Sequence, residues 1–254
     1  MTDREIACRI FACIDNTTLK ATDNEQTVEE FCRHTASMRL ADGTTVAAVC
    51  VYPPFVKIAK RELKDSGIRV ATVAGAFPHG QSPLMLKVEE VKKAVDDGAD
   101  EVDIVMNRGL LLAGESERAG EEVAAMREAS MGKVLKVILE TGELGDLVVE
   151  AAQVALDAGA DFIKTSTGKS AVGATPEAAE MMLRVIGEKV KINKKTVGFK
   201  AAGGIKSLEE AKVYVRIAQK IIGEHYINNQ TFRIGASHLT DRLFAFLTFQ
   251  TMHN

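Results

Sequence analysis

Two lysines follow strand-like apolar runs in the second half of the chain, where an amine could do chemistry. Lys164 comes directly after Phe162 and Ile163, and Lys200 lies in the run 196–204. A lysine at the polar end of a buried strand loses hydration, which lowers its pKa, and a neutral amine is a nucleophile toward carbonyl groups. The ordinary alternative is a lysine whose ammonium group reaches solvent. Because the arrangement occurs twice, we predict one site that contains both lysines.

A carboxylate is predicted to join them. The segments 98–103 and 159–164 share a Gly-Ala-Asp start, and aligning the two places Asp103 at the position of Lys164. Lys200, as a second cation, would keep Lys164 neutral, and Asp103 would carry the proton transfers that imine chemistry requires. The alternative for Asp103 is a carboxylate that only pairs with a lysine inside the fold. Together the three residues indicate Schiff-base catalysis.

Residues suited to holding a phosphate follow the last apolar runs. The backbone N–H groups of a glycine pair can approach an anion closely, and such a pair follows the run that contains Lys200. A glycine pair alone is more often a turn, but another glycine and a hydroxyl follow the final run. The predicted substrate- and phosphate-binding residues are Thr165, Lys169, Gly203, Gly204, Gly235 and Ser237.

Other polar residues are assigned lesser roles. Asp15 and Cys50, each at the end of an apolar run, are predicted to lie near the site, and Lys136 is interpreted as structural. The histidines lack metal-binding spacing, and the four cysteines lack a CxxC motif, so neither a metal nor a cofactor is expected. The Gly-Lys-Ser at 168–170 is not a nucleotide-binding loop, because that motif requires a glycine where Ile163 stands.

The amino-acid composition and net charge indicate which kinds of molecule the chain binds. The chain has 254 residues, 46% of them hydrophobic and 26% charged, with a net charge of −3 and a pI near 6.0. This balance argues against nucleic acid or an anionic membrane as the main partner. No apolar stretch has the length of a signal peptide or a membrane span, so we expect a cytoplasmic protein that acts on small molecules.

The apolar runs recur with helical stretches between them. Eight strands that alternate with eight helices in about 250 residues fit a (β/α)8 barrel. A doubly wound open sheet is the alternative, but no glycine-rich dinucleotide motif follows the first run. We therefore predict an α/β fold, a (β/α)8 TIM barrel, as a single domain over residues 1–254. The predicted runs cover 10–14, 46–51, 68–73, 102–106 and 134–139, and three more end near Gly168, Gly204 and His238.

Three helix starts are predicted from capping residues. A hydroxyl side chain followed three residues later by glutamate has the spacing of a capping box, and proline favours the first helical position. The predicted starts are Thr22 with Glu25, Ser207 with Glu210, and Thr175 before Pro176.

Eight stretches, spread from the first strand to the last, together resemble one enzyme family. The chain is similar to the deoxyribose-phosphate aldolases, which are metal-free lysine aldolases with a (β/α)8 barrel. The matching stretches are Asp15-Asn16-Thr17-Thr18-Leu19, Val49-Cys50-Val51-Tyr52-Pro53, Phe77-Pro78-His79-Gly80, Glu101-Val102-Asp103-Ile104-Val105, Lys136-Val137-Ile138-Leu139-Glu140-Thr141-Gly142, Phe162-Ile163-Lys164-Thr165-Ser166-Thr167-Gly168, Gly198-Phe199-Lys200 with Ala202-Gly203-Gly204, and Gly235-Ala236-Ser237.

The resemblance implies a specific division of roles. Lys164 would form the imine, Lys200 would lower the pKa of Lys164, and Asp103 would act in proton transfer. The substrates would be a phosphosugar and aldehydes, and a homodimer is possible. The phosphate would be held by Lys169, Gly203, Gly204, Gly235 and Ser237.

The chain departs from the family pattern at four places. Asn16, Ala201 and His238 replace residues common in the family, and the end, 249–254, lacks a terminal tyrosine. Three other functions stay open: a lysine aldolase for a keto-acid or ketose phosphate, a phosphosugar isomerase, and a phosphosugar-binding barrel without catalysis.

Overall fold

The computed structural model describes residues 2–193 and 196–249, and eight parallel strands in this part of the chain close into a barrel in sequence order. The strands are β1 (Ile14–Thr17), β2 (Ala48–Val51), β3 (Arg69–Ala74), β4 (Glu101–Val105), β5 (Val134–Ile138), β6 (Phe162–Lys164), β7 (Gly198–Ala202) and β8 (Phe232–Ala236). The first strand pairs with β2 and with β8, so each strand has two neighbours. The predicted (β/α)8 TIM barrel is confirmed.

The helices surround this barrel. Within the described residues there are two more than the eight predicted, because α1 precedes the first strand and the short α5 follows the fourth. The helices are α1 (Asp3–Ala12), α2 (Glu25–Ser37), α3 (Val56–Glu62), α4 (Leu84–Asp96), α5 (Arg108–Leu112), α6 (Ser116–Ala129), α7 (Val148–Asp157), α8 (Pro176–Asn193), α9 (Leu208–Ile221) and α10 (Leu239–Phe249). None of them is long and apolar enough to cross a membrane.

The predicted start of the first strand is wrong. β1 begins at Ile14, and Ile10 and Phe11 instead form the buried face of α1. The ring of Phe11 stacks on Phe244 of α10, with 6.0 Å between the ring centroids. Because a short apolar run has no clear period, the sequence did not separate the end of a helix from the beginning of a strand.

Two of the three predicted helix starts are confirmed. The side chain of Ser207 accepts a hydrogen bond from the backbone N–H of Glu210 at 3.3 Å, and Pro176 begins α8. The pairing of Thr22 with Glu25 is wrong, because Asn24 caps α2 in a reciprocal pair with Thr27. Asn24 is an equally good capping residue two positions later, and the spacing rule did not choose between them.

The interior of the barrel is divided between apolar and charged walls. On β2 and β3 small residues such as Ala48, Ala71 and Val73 form a cluster of their own, separate from the main core that packs the helices against the barrel. On the opposite wall the strand register pairs Asp103 with Lys136 and Lys164 with Lys200. Because parallel strands in register direct paired side chains to one face, these charges share the interior.

Candidate active site

The structure brings Asp103, Lys164 and Lys200 together inside the barrel. The Oδ2 atom of Asp103 accepts a hydrogen bond from Nζ of Lys164 at 2.9 Å and another from Nζ of Lys200 at 2.7 Å. All three side chains are buried, and that of Lys164 is only 4% exposed. The three groups therefore lie in one site, as the aligned segments indicated, while their catalytic roles stay predictions.

The two lysines have opposite electrostatic environments. Burial lowers the pKa of Lys164 below its ordinary value; the Asp103 carboxylate opposes this shift, and the Lys200 ammonium reinforces it. Burial acts in the same way on Lys200, but the carboxylates of Asp103 and Asp15 outweigh it and raise the pKa of Lys200. Lys164 is therefore the amine that gives up its proton more readily, which is what a nucleophile toward a carbonyl group requires.

Lys136 lies in the same cluster, although the sequence indicated only a structural role. Its Nζ atom is 2.7 Å from Oδ1 of Asp103 and 2.6 Å from Oε2 of Glu101, and 3.5 Å from Oδ2 of Asp15. Burial works against the ammonium form, but these carboxylates raise the pKa of Lys136. It pairs with its neighbours as expected, and one neighbour is the proposed proton-transfer group.

The sequence did not identify Glu101 and Arg233 as part of the cluster. Nη1 and Nη2 of Arg233 donate to the two carboxylate oxygens of Glu101 at 3.0 and 2.7 Å, and Nη1 also reaches Oδ1 of Asp15 at 2.5 Å. Asp15, predicted to lie near the site, accepts from Nζ of Lys200 at 2.5 Å. A charged residue within the apolar strand 232–236 was the available signal.

The carboxylates of the cluster are held in their ionised form. Burial by itself would raise the pKa of Asp103, but the ammonium groups of three lysines outweigh it and hold the pKa well below its usual value. The pKa of Asp15 is likewise lowered, against burial, by Lys200 and Arg233. Ionised Asp103 can accept a proton during a reaction, and each neighbouring ammonium can return one.

A cavity of about 320 Å³ opens above the cluster at the carboxyl ends of the strands. It contains five of the six predicted substrate- and phosphate-binding residues, and Lys164 is the one member of the buried cluster among its lining residues. Lys20 and Lys206 also line it, and the sequence had not indicated them. The lining residues are Thr17, Thr18, Leu19, Lys20, Lys164, Thr167, Gly168, Lys169, Ala202, Gly203, Gly204, Ile205, Lys206, Gly235, Ala236, Ser237 and His238.

The sixth predicted residue, Thr165, lies below the cavity. Its hydroxyl is 3.1 Å from both the carbonyl oxygen and the backbone nitrogen of Ala202, so it joins β6 to β7. Thr165 is fully buried and is not among the residues that line the cavity. We therefore regard it as a support of the site, not as a group that contacts a ligand.

Glycines shape the rim of the cavity. Gly203 and Gly204 have φ angles of 91° and 87°, in the left-handed region that favours glycine. A side chain at Gly235 would place Cβ 3.1 Å from Cε of Lys200, so its absence leaves room for that lysine. Gly173, in the loop after β6, is packed so closely that an added Cβ would lie 2.4 Å from the carbonyl oxygen of Gly203.

The loop after β6 is held from below by Glu140. Its carboxylate accepts hydrogen bonds from the hydroxyl and from the backbone N–H of Thr167, the latter at 3.2 Å. The Thr167 hydroxyl in turn accepts from the backbone N–H of Lys169 at 3.0 Å. The Lys169 ammonium reaches across the cavity and donates to the carbonyl oxygen of Leu19. This chain of contacts positions Lys169 over the cavity.

Cys50 is buried inside the barrel, close to Asp103 and the lysines of the cluster. Burial, helped by the nearby Asp103 carboxylate, raises the pKa of the Cys50 thiol to about 11, so the thiol is protonated at neutral pH. Its carbonyl oxygen accepts a hydrogen bond from the backbone N–H of Thr18 at 3.0 Å, which fixes the start of the loop after β1.

Three of the departures from the family pattern can be located. Asn16 faces away from the cavity, since its amide donates to Thr35 and accepts from Thr240, each at 2.8 Å. Ala201 is buried in the outer core, and His238 is exposed at the cavity. The missing terminal tyrosine concerns residues 250–254, which lie outside the described residues.

The rest of the described surface offers no second location for the predicted site residues. The described residues contain no group of three or more His, Cys, Asp or Glu side chains arranged to hold a metal ion. A groove of about 530 Å³ lies at the opposite, amino-terminal end of the barrel, where Arg69 and Lys60 are among its lining residues. None of the predicted site residues lies in that groove.

A comparison with protein families gives one match of almost full length. The model of the DeoC/LacD family aldolases matches residues 9–241.

Three solved structures show the same similarity. QR15, an aldolase, is 30% identical, with a TM-score of 0.78 over 96% of this chain and 99% of its own. A protein from Coccidioides immitis that carries the provisional name deoxyribose-phosphate aldolase is 28% identical, with a TM-score of 0.79 over 93% of this chain and 86% of its own. The deoxyribose phosphate aldolase of Aeropyrum pernix, a tetramer, is 25% identical, with a TM-score of 0.74 over 98% of this chain and 93% of its own.

Proposed function

Because the chain belongs to the DeoC/LacD aldolase family, we propose that it cleaves 2-deoxy-D-ribose 5-phosphate reversibly to D-glyceraldehyde 3-phosphate and acetaldehyde. The observation that carries this proposal is the position of Lys164. It is a buried amine of lowered pKa beside a carboxylate and a second ammonium group, and it opens into a cavity lined by further lysines. Two of the similar structures are named for deoxyribose phosphate, which supports the choice of substrate.

The first half of the reaction forms a covalent adduct. The neutral amine of Lys164 attacks the aldehyde carbon of the sugar, and loss of water from the carbinolamine gives an iminium ion. The hydroxyl that departs needs a proton, and Lys200 can supply it through Asp103, which accepts from both lysines.

The second half of the reaction breaks a carbon–carbon bond and then protonates the enamine carbon that remains on Lys164. The iminium nitrogen accepts the electron pair of the bond between the second and third carbons, while Asp103 or a water next to it takes the proton of the third-carbon hydroxyl. D-Glyceraldehyde 3-phosphate departs and leaves an enamine on Lys164. Protonation of the enamine and addition of water then release acetaldehyde and restore the free amine. In reverse, the same steps form the carbon–carbon bond.

Several residues that line the cavity suit the phosphate group. Lys20, Lys169 and Lys206 line the cavity together with the left-handed glycines 203 and 204, and Ser237 precedes the amino terminus of α10. Ammonium groups and free backbone N–H groups are the usual phosphate partners in proteins.

The test is borohydride trapping with 2-deoxyribose 5-phosphate, followed by peptide mapping. We expect the reduced adduct on Lys164 and neither adduct nor turnover in Lys164→Ala. Lys57→Ala, at an exposed position on α3, is the matched control and should behave as the wild type. If the sugar binds without an adduct on any lysine, the proposal fails in favour of an isomerase or a binding protein, and an adduct with other carbonyl substrates alone would indicate another lysine aldolase.

We infer that the chain acts in the cytoplasm as one domain, without a metal or cofactor. A homodimer is the assembly we expect, and light scattering of the purified protein would test it.

A further inference from the structure

Within the described residues, one hydrogen-bonded cluster inside the barrel contains unequal numbers of negative and positive side chains. Three carboxylates and four cationic side chains are each no more than 4% exposed and are joined by hydrogen bonds. If all seven were ionised, this cluster would carry one uncompensated positive charge, and a buried unpaired charge is costly. The members are Asp15, Glu101, Asp103, Lys136, Lys164, Lys200 and Arg233.

The number of carboxylates near each cation decides which member of the cluster gives up a proton. Arg233 does not deprotonate in proteins. Lys136 has two carboxylates within 2.7 Å, and Lys200 has two within the same distance. Among the residues that the structure describes, Lys164 has one such partner, Asp103. It is therefore the cation with the least compensation, and releasing its proton brings the cluster to neutrality.

Arg233 lies outside the cavity and acts only through other residues. Besides its bonds to Asp15 and Glu101, its Nε atom donates to the carbonyl oxygen of Asn229 at 2.6 Å, and its guanidinium lies 5.5 Å from the centre of the Phe162 ring. Gly198 leaves room for that ring, because an added Cβ would lie 2.2 Å from it. The guanidinium is thus held at one place, below the reacting atoms.

We propose that Arg233 and Glu101 are positioning residues that set the net charge of the buried cluster, so that Lys164 is the group left without a proton. This inference rests on the proposed function of Lys164 but concerns only its protonation. Two further charged neighbours lie outside the cluster. Arg69 reaches Glu101 at 3.1 Å, but it is 36% exposed, so solvent screens its charge. The buried Glu140 carboxylate is hydrogen-bonded to Thr167 in the loop after β6. The Cys50 thiol is neutral.

We expect the pKa of Lys164 to shift in opposite directions when Arg233 and Glu101 are replaced separately. In Arg233→Met the cluster has three groups of each sign, so Lys164 keeps its proton and its pKa rises by about one pH unit. In Glu101→Gln the positive excess grows from one to two, so the pKa falls. The double variant Glu101→Gln/Arg233→Met restores an excess of one, and its pKa returns toward the wild-type value. Arg233→Lys keeps the charge and leaves the pKa near the wild-type value.

The measurement is the rate at which Lys164 is methylated by formaldehyde and cyanoborohydride between pH 5 and pH 10, followed by peptide mass spectrometry. Only the neutral amine reacts, so the midpoint of the profile reports its protonation, and no sugar substrate is needed. Circular dichroism checks the fold of each variant. Arg184→Met and Glu180→Gln, which alter an exposed pair on α8, are the matched controls and should leave the profile unchanged.

Opposite shifts in the two single variants, cancelled in the double variant, are the expected result, since loss of structure alone would not move the midpoint in two directions. Midpoints that do not move, or that move in the same direction, overturn the proposal. If Arg233→Met does not fold, Glu101→Gln decides alone: a lower midpoint supports the proposal, and an unchanged or higher one refutes it. If the shifts occur but the wild type traps no deoxyribose phosphate, the proposed function fails and this inference stands.

Discussion

At the scale of the residue, Lys164 and Lys200 show how neighbouring charges can shift the pKa of the same type of side chain in opposite directions. The two lysines are paired in the strand register, and both are buried. Lys200 has a second carboxylate, Asp15, and Lys164 does not. Asp103 and Asp15 together raise the pKa of Lys200, whereas burial, reinforced by the Lys200 ammonium, outweighs Asp103 and lowers the pKa of Lys164.

Lys200→Leu should make Lys164 a poorer nucleophile at neutral pH. The Lys200 ammonium lowers the pKa of Lys164, and its loss also frees Asp103 to stabilise the protonated form of Lys164. We expect the pH–rate profile for cleavage to move to higher pH, with a loss of roughly tenfold or more at pH 7. An unmoved profile would show that Lys200 does not control the protonation of Lys164.

Lys20 should contribute to recognition of the phosphate. It lines the cavity with Lys169 and Lys206, so it can approach a dianionic group. We expect Lys20→Gln to raise KM for 2-deoxyribose 5-phosphate roughly threefold to tenfold and to leave kcat/KM for unphosphorylated 2-deoxyribose unchanged. Lys57→Gln is the matched control. An equal loss with both sugars would assign Lys20 to the loop structure instead of phosphate binding.

At the scale of the element, the loops after β6 and β7 depend on close backbone contact. Gly173→Ala would push an added Cβ against the Gly203 carbonyl and displace the left-handed turn. We expect kcat/KM for the phosphorylated sugar to fall roughly tenfold, whereas the pH dependence of Lys164 methylation stays as in the wild type. Gly187→Ala, where the added Cβ has ordinary contacts of 3.8 Å, is the control and should have no effect.

The elements also show what the sequence could and could not predict. Alternating apolar runs indicated the barrel, and the repeated Gly-Ala-Asp segment related Asp103 to Lys164 because each is the third residue of the strand that follows it. The predicted start of β1 was wrong because the apolar run 10–14 includes the end of α1 as well as the first residue of β1. Glu101 and Arg233 were not identified because their pairing joins β4 to β8 across the interior, and no local pattern records such a contact.

At the scale of the whole molecule, the barrel encloses Lys164, and the lowered pKa that suits this amine to catalysis also reduces the stability of the folded chain. In the unfolded chain Lys164 binds its proton with the ordinary pKa of 10.5, whereas the folded chain lowers that value. The unfolded state therefore binds the proton more tightly, and stability contributed at this position is smallest at low pH and increases as the pH rises toward 10.5.

Lys164→Met should therefore unfold at a higher temperature than the wild type. At pH 7 the variant no longer has a proton that favours the unfolded state, and Asp103 keeps Lys136 and Lys200 as partners. We expect a gain of roughly 3 °C at pH 7 that becomes smaller at pH 10, measured by differential scanning calorimetry. Lys57→Met should show neither effect, and a lower unfolding temperature for Lys164→Met would mean that its hydrogen bond outweighs the proton linkage.

Gly235 has a consequence for how this enzyme can change by mutation. It borders the cavity, and its missing side chain also leaves room for Lys200. Every replacement of glycine by another amino acid adds a side chain, so any substitution at position 235 crowds both the cavity and Lys200. Ser237 and His238 border the same cavity but are exposed. A directed-evolution library aimed at new aldehydes should therefore vary positions 237 and 238 and leave position 235 fixed.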